Sequence, residues 1–454
     1  MRWKITTSLL AVLLLTGLLV PKANAQDSHY WINSYGTRAQ LLGGLVVGSI
    51  KDLSATYYNP GAMALTQDLR LILTTDALEL SSLQFDEGVD EGGKLSSTRF
   101  ASAPKIFAIR IKGIDQLSNH DIAFTLLTRY DWKFKADTRT NTPANGLPGG
   151  QDTGILTDEL ITDFSLSEGW GGLTYAVEPR EGMGVGVSGF VAVRSQSGRL
   201  SRLGSGIDSL EAGSSVTLID DYRYSTVRVL FKGGVSWDMD PTVVGITVTT
   251  PSLHIWGDGR VSVEQSAINL GEDHTTAITA NAQDGLTAVY RSPLSIALGI
   301  SHSLGRTSLH TTAEWFDSVA AYDFIEASGF MSQSTGESMK VDYSTSLRSI
   351  INFGLGVEHA FSTKTSGYAA LTVDHSPQDG PSRITFSDWN LYHLSTGAAF
   401  SFHGVDFTTG LTYSRGSDEV QPPFEFNKED IVVTAPRKAT YRRLKLLFGV
   451  SVGI

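Results

Sequence analysis

The sequence contains no cysteine in 454 residues. Disulfides, thiolate metal sites and a lipid-modified N-terminal cysteine are therefore excluded. Charge is scarce as well: Asp, Glu, Lys and Arg make up only 18% of the chain. The formal net charge of −11 argues against nucleic-acid binding, which needs positive charge to meet phosphate. It suits acidic surface loops. After Val20 no apolar stretch of about 18 residues occurs, so no transmembrane helix is expected in the mature chain. What the chain does have is 46 Gly, 20 Phe, 15 Tyr and 8 Trp. Small residues allow close strand packing and aromatics form interfacial girdles, so this composition suits a membrane barrel.

The first residues read as a secretory signal. Arg2 and Lys4 precede an apolar run from Ile5 to Val20, and Ala23-Asn24-Ala25 fits the small-x-small cleavage pattern. The run is shorter than the roughly 20 residues of a spanning anchor. A cleaved peptide over 1–25 is expected, with the mature chain starting at Gln26.

The decisive signal is a period of two. Ile122, Phe124, Leu126, Thr128, Tyr130, Trp132 and Phe134 alternate with Ala123, Thr125, Leu127, Arg129, Asp131 and Lys133. One face is apolar and ends in aromatics; the other is mostly small or polar. Soluble strands average about 5–6 residues, and this run is twice that. Near the end, Leu444, Leu446, Phe448, Val450, Val452 and Ile454 alternate with Arg443, Lys445, Gly449, Ser451 and Gly453. The off-face is Gly, Ser, Thr and Ala with sparse charge, where a soluble sandwich would carry Lys and Glu. That suits a crowded lumen.

Fourteen strands are expected, at 69–84, 97–112, 119–136, 160–178, 182–199, 215–237, 242–264, 285–304, 307–326, 340–361, 366–375, 388–402, 405–415 and 441–454. An even number is what a single-chain bacterial barrel requires. Turns such as Gly305-Arg306 and Ser362 to Thr365 alternate with long polar loops at 137–158, 200–214, 265–284 and 416–440, matching short periplasmic turns and long extracellular loops. Residues 26–68 do not alternate. Tyr57-Tyr58-Asn59-Pro60-Gly61 is a turn signal, and the Tyr and Leu content of the segment favours burial as a plug over a periplasmic leader. The expected architecture is thus all-β: a 14-stranded antiparallel transmembrane β-barrel over 69–454 with an N-terminal hatch (plug) over 26–68 inside its lumen.

The stretch Ser49-Ile50-Lys51-Asp52-Leu53-Ser54-Ala55-Thr56-Tyr57-Tyr58-Asn59-Pro60-Gly61-Ala62-Met63-Ala64 resembles the N-terminal hatch of the FadL/TodX-type outer-membrane transporters of long-chain fatty acids and other hydrophobic compounds. Phe231 to Trp237 with Val244 to Pro251 is similar to that family's central hairpin, and Gly354 to His359 with Tyr368 to Pro377 to its later strands. The resemblance implies a hatch motif at Asp52, Asn59, Pro60 and Gly61, with Gly61 replacing the usual Ala and so loosening the turn. It also implies a lateral opening at a kink in the third strand. Strand 119–136 has no Gly or Pro to force one. Pro104, in the neighbouring strand, lacks a ladder donor and offers an alternative wall opening. Ile454 stands where such barrels commonly have an aromatic, an atypical signal to the barrel assembly machinery.

Chemical motifs are few. Gly184-Val185-Gly186-Val187-Ser188-Gly189 matches a dinucleotide pattern, but a strand rather than a helix follows it. Gly449-Val450-Ser451-Val452-Gly453 matches a nucleophile elbow without the downstream Asp and His. The ten His show no metal-ligand spacing. Asp86, Glu87, Asp90 and Glu91 read as a solvated acidic loop. Arg129, Glu314, Glu358, Asp374 and Arg443 are candidate lumen charges that pair across the interior and hold the plug, because an unpaired charge in a dry lumen is costly. No catalytic residue, metal or cofactor is expected. The expected function is passive uptake of hydrophobic compounds such as long-chain fatty acids or hydrocarbons, in contact with outer-membrane lipids and lipopolysaccharide. Rival readings are a structural or adhesive barrel without transport, and an outer-membrane lipid hydrolase, which would need Ser, His and an acid on one outer face.

Overall fold

The computed structural model describes residues 29–66, 69–85, 95–111, 120–143, 155–207, 213–269, 276–379, 389–403, 405–420 and 437–453. The expected signal peptide, the acidic loop at 86–91 and Ile454 lie outside them. The strands, in chain order, are β1 Leu69–Phe85, β2 Leu95–Ile111, β3 His120–Pro143, β4 Ile155–Arg180, β5 Met183–Ile207, β6 Gly213–Met239, β7 Thr242–Thr249, β8 Leu253–Asn269, β9 Thr276–Thr287, β10 Ser295–Leu304, β11 Thr307–Phe316, β12 Val319–Asp323, β13 Phe330–Met331, β14 Ser338–Met339, β15 Ser344–Leu347, β16 Ile350–Ser362, β17 Thr365–Asp374, β18 Leu391–Phe402, β19 Val405–Val420 and β20 Arg437–Gly453. Fourteen of them close an antiparallel ring: β1 to β7, then β10, β11 and β16 to β20, with β1 paired to both β2 and β20. Closure leaves no sheet edge in the ring, which is what lets strands cross a bilayer.

The ring is inside out relative to a soluble protein. On β20, Leu444, Leu446 and Phe448 face outward at 44%, 40% and 43% exposure, while Arg443 and Lys445 face the interior at 4% and 3%. Leu173, Val187, Phe231, Ile246, Leu298, Leu355 and Leu411 continue the outward apolar belt on neighbouring strands. Lipid covers such a belt, so this is a transmembrane barrel of outer-membrane architecture. Among the described residues no helix is long and apolar enough to cross a membrane. A tilted crossing takes about 9–11 residues. With 26, 25 and 27 residues, β4, β5 and β6 stand far above the belt. There the outward side chains turn charged, as at Lys133, Lys135, Arg199 and Arg223.

Several expected boundaries shift. The run 242–264 is two strands, β7 on the lower part of β6 and β8 on its upper part, with Pro251 in the break. The run 285–304 likewise divides into β9 and β10 around 288–294, where Tyr290 turns into the interior. In both cases the alternation continues through a break that proline and local wall curvature impose. Within the expected loops at 137–158, 200–214, 265–284 and 416–440 the described residues are strand, because these walls extend well past the bilayer.

The N-terminal residues 29–66 lie inside the ring. Helix α1 (Thr37–Leu41) packs on β1 and β17 to β20, and a 3₁₀ turn, η1 (Pro60–Leu65), packs on β3 to β6, so the segment crosses the lumen between opposite arcs. A second short helix, α2 (Ala55–Tyr58), leads into η1. Above the segment, aromatic residues from many walls form a second apolar cluster, including Phe134, Phe164, Tyr222, Phe324, Tyr343 and Trp389.

Candidate functional site

The wall is not uniformly laced. The ladder between β2 and β3 runs from Ile111↔Ile122 up to Ile106↔Leu127 and stops, although both strands continue. Each lip carries an extra residue at that level. Lys105 is extra in β2 relative to β1, and Arg129 is extra in β3 relative to β4. Pro104, beside Lys105, has no N–H to offer the ladder. Higher up only side chains bridge the seam. Arg99 donates through Nη1 to the Asp131 carbonyl and through Nη2 to Asp131 Oδ2, both at 2.8 Å, and Lys135 N–H donates to Ser97 Oγ at 3.3 Å.

The break in β3 has no Gly or Pro behind it. At the break the N-terminal segment supplies hydrogen-bond partners. Asn33 Nδ2 donates to the Arg129 carbonyl at 2.9 Å, and Tyr35 Oη donates to the Thr128 carbonyl at 3.1 Å. Buried carbonyls need partners, and these two find theirs in the lumen rather than on β2. Burial pushes the Tyr35 phenol up to about 12, so its hydroxyl remains a donor in any physiological medium. The bulge at Arg129 also flips the face of everything beyond it. Tyr130 and Phe134, on the same sequence face as the outward Leu126, are turned into the lumen.

Behind the seam lies a packed aromatic cluster of Ile106, Leu127, Trp170, Phe190, Leu230 and Tyr35, with Tyr57 and Tyr58 against it. Ring centroids are 4.5 Å apart for Tyr35–Tyr57, 6.0 Å for Tyr57–Trp170 and 5.6 Å for Trp170–Phe190. Two cations face it. The Arg129 guanidinium lies 5.8 Å from the Tyr57 ring and 5.6 Å from the Trp170 ring, and Lys232 Nζ lies 4.6 Å from Tyr57. They are 5% and 6% exposed, and among the described residues neither forms a salt bridge. Arg129 Nη1 has no hydrogen-bond partner. Just above, Arg194 and Arg228 share one carboxylate, Glu168, at 3.0 and 2.8 Å. The region therefore carries an excess of buried positive charge, stabilised by ring faces.

The expected hatch residues are structural in placement. Asp52 accepts from Thr37 N–H at 3.1 Å, capping the start of α1, and from Thr37 Oγ1 and the Ser54 N–H. Asn59 donates to the carbonyls of Val47 and of Val235 on β6, both at 2.9 Å, and accepts from Gly61 N–H. Gly61 does not loosen the turn. A Cβ there would press on the carbonyls of Gly184 and Gly234, so glycine is what lets η1 lie against the wall. Gly61→Ala is therefore expected to cost about 1–3 kcal/mol of docking stability, read as a lower unfolding temperature and faster proteolysis of residues 29–66.

Of the expected lumen charges, four reach the N-terminal segment. Glu314 accepts from Trp31 Nε1 at 2.7 Å, Asp374 from Trp31 N–H at 2.8 Å and Glu358 from Arg38 Nε at 2.8 Å, while Arg443 donates to the Ile32 carbonyl at 2.6 Å. None of the five forms a salt bridge with another of the five; Arg129 stands at the seam. A small polar crevice of about 20 Å³ lies between Trp31, Gln40, Asp76, His393, Arg443 and Lys445. Its lining suits water rather than an apolar ligand. Sequence reasoning missed Asn33, Tyr35, Arg38 and Lys232. Lys232 had a signal, as a charge alternating with Phe231 on β6. Asn33 and Tyr35 had none, because their partners are more than 90 residues away.

No protein-family model matches the sequence, and no curated protein matches it. Solved structures do match in shape. A Pseudomonas aeruginosa FadL homologue superposes with a TM-score of 0.56 at 12% identity, covering 95% of this chain and 99% of that one. This chain has the FadL/TodX fold. The P. putida toluene transporter TodX gives 0.57 at 12% identity over 94% and 99% of the two chains. CymD, a monoaromatic hydrocarbon channel, gives 0.51 at 12% identity over 93% and 98%. At this identity the FadL/TodX likeness concerns architecture, and the chemistry of the site rests on the residues above.

Proposed function

We propose that the protein carries hydrophobic compounds passively across the outer membrane, and that its preferred cargo is an amphiphile with an acidic head group, such as a long-chain fatty acid. The observation that carries this reading is the aromatic cluster behind the β2–β3 seam, with two buried cations against its rings that form no salt bridge among the described residues. Aromatic faces take the apolar chain; Arg129 and Lys232 offer charge-assisted bonds to a carboxylate. A neutral hydrocarbon would leave both cations without a salt bridge. The fold is that of proteins described as hydrocarbon channels and a FadL homologue, which supports transport over catalysis.

In this reading cargo is captured in the aromatic cluster above the lumen, around Phe324, Tyr343 and Trp389, and descends to the cluster behind the seam, where the head group meets the cations. Residues 29–66 act as the hatch: they close the straight path to the periplasm, leaving rearrangement of that segment or sideways exit at the seam beside Pro104. No covalent step and no cofactor enter. The test is uptake of labelled long-chain acid, alkane and toluene into liposomes or cells with and without the protein. Saturable uptake of the acid, exceeding that of the neutral compounds, is expected. Equal uptake of all three would remove the acidic-head-group reading, and no protein-dependent uptake would remove transport.

A further inference from the structure

The side chain of Asn33 touches one lip of the seam directly and is linked to the other through Lys445 and Asp76. Its Nδ2 donates to the Arg129 carbonyl on β3. Its Oδ1 accepts from Lys445 Nζ at 2.8 Å. Lys445 Nζ sits 2.9 Å from Asp76 Oδ2, and the same oxygen lies 3.0 Å from Nζ of Lys105, the extra residue of β2. An unbroken polar chain thus runs from the bulge of one lip, through the N-terminal segment, to the bulge of the other. Every member is buried: Asn33 at 8% exposure, Asp76, Lys105 and Lys445 at 3% or less. The Tyr35 hydroxyl takes the neighbouring Thr128 carbonyl, so two consecutive acceptors of β3 are held by the plug rather than by β2.

We infer that Asn33 and Tyr35 are positioning residues for the wall opening, so that the width of the seam and the seating of the N-terminal segment form one equilibrium. The reasoning is an accounting of backbone groups. The ladder of β2 with β3 ends at Ile106↔Leu127, Pro104 just above has no N–H to extend it, and the Thr128 and Arg129 carbonyls are bonded by the N-terminal segment. Asn33 and Tyr35 satisfy them only while the segment is seated. If the segment shifts, those carbonyls lose their partners, Lys445 loses Asn33 while keeping Asp76, and the polar chain between the two lips is cut. A ligand that moves the segment would thereby loosen the seam, and a ligand wedged in the seam would unseat the segment. Coupling of this kind is reciprocal.

The inference rests on the transport reading only for its purpose; the coupling itself is tested without any cargo. The chain has no cysteine, so spin labels can be placed cleanly. One pair, at Thr98 and Lys133, spans the seam, and a control pair at Ser165 and Ser195 spans the regular ladder of β4 with β5. Distances are measured in the purified, detergent-folded barrel for the native chain, for Asn33→Ala with Tyr35→Phe, and for Asn33→Asp. In the double variant the narrow seam distribution is expected to be lost and replaced by a broad one, with the control pair unmoved. Asn33→Asp keeps the bond from Lys445 but loses the donor to Arg129, so it is expected to broaden the seam alone. An unchanged seam distribution in a folded double variant would overturn the inference. Broadening of both pairs would overturn it too, since it would mean general loosening. Uptake, assayed separately, judges the transport reading: a seam that responds in a protein that transports nothing leaves the coupling standing and removes the function.

Discussion

Removing residues 29–61 should convert a closed barrel into an open pore. The ring does not depend on that segment for closure, because its fourteen strands close it by pairing with one another. What the deletion uncovers is polar. Glu314, Glu358, Asp374, Arg443 and Lys445 line the interior and now bond the segment or its neighbours. Left without it they would be hydrated, and water would fill the lumen. Single-channel conductance in planar bilayers should rise at least about tenfold, because a barrel whose interior is not filled by protein becomes an aqueous channel. Saturable uptake should give way to leakage of small polar solutes. Heat-modified gel mobility checks that the barrel is folded. A folded deletion variant with native conductance would mean that the segment does not block the path.

Replacing Lys232 by Met should move stability and binding in opposite directions. Most buried ion pairs are costly to break because one charge is left behind. Lys232 breaks no salt bridge, since among the described residues Glu314 attracts it only from beyond salt-bridge distance and its ammonium faces the ring of Tyr57. Met keeps the length of the side chain and a favourable sulfur–ring contact. Removing a buried charge that has no salt bridge should therefore stabilise the folded barrel by about 1–4 kcal/mol. The same change takes a charge-assisted bond from an acidic ligand, so affinity for a long-chain acid should fall about ten- to a hundredfold. Affinity for an alkane of equal length should stay within about twofold, since its apolar contacts persist. Arg129→Gln is expected to act in the same sense on binding. A variant that loses stability, or loses acid and alkane binding alike, would show that Lys232 serves packing rather than head-group recognition.

The ring was legible in the sequence because period-two alternation is a local property, read off β3, β19 or β20 without knowing their neighbours. Its failures came where alternation persists but the wall does not. In the sequence of β3 the apolar face runs on from Leu126 to Phe134, yet the bulge at Arg129 sends Tyr130 and Phe134 inward. A one-residue slip flips every later side chain, and the sequence pattern carries no mark of it. The partners of the slipped backbone are Asn33 and Tyr35, in a segment with no periodicity to read. Inward charge was legible too, at Arg129, Glu314, Glu358, Asp374 and Arg443. Which charges are paired was not, and that is what distinguishes Arg129 and Lys232 from Arg194 on Glu168. The hatch motif was visible as a turn, but the need for glycine at Gly61 depends on carbonyls from two other strands.

In the proposed route an amphiphile lodges against the aromatic cluster behind the seam, with the seam beside Pro104 as one of its two exits. A long-chain fatty acid bearing a diazirine near its carboxyl end, photolysed with the barrel in liposomes and mapped by mass spectrometry, tests it most directly. Adducts are predicted on Tyr57, Leu127, Trp170 and Phe190, with others at the outer rim of the seam on Phe100 and Leu126, all competed by unlabelled acid. Labelling spread evenly over the lipid-facing belt, with none on the cluster and no competition, would contradict it.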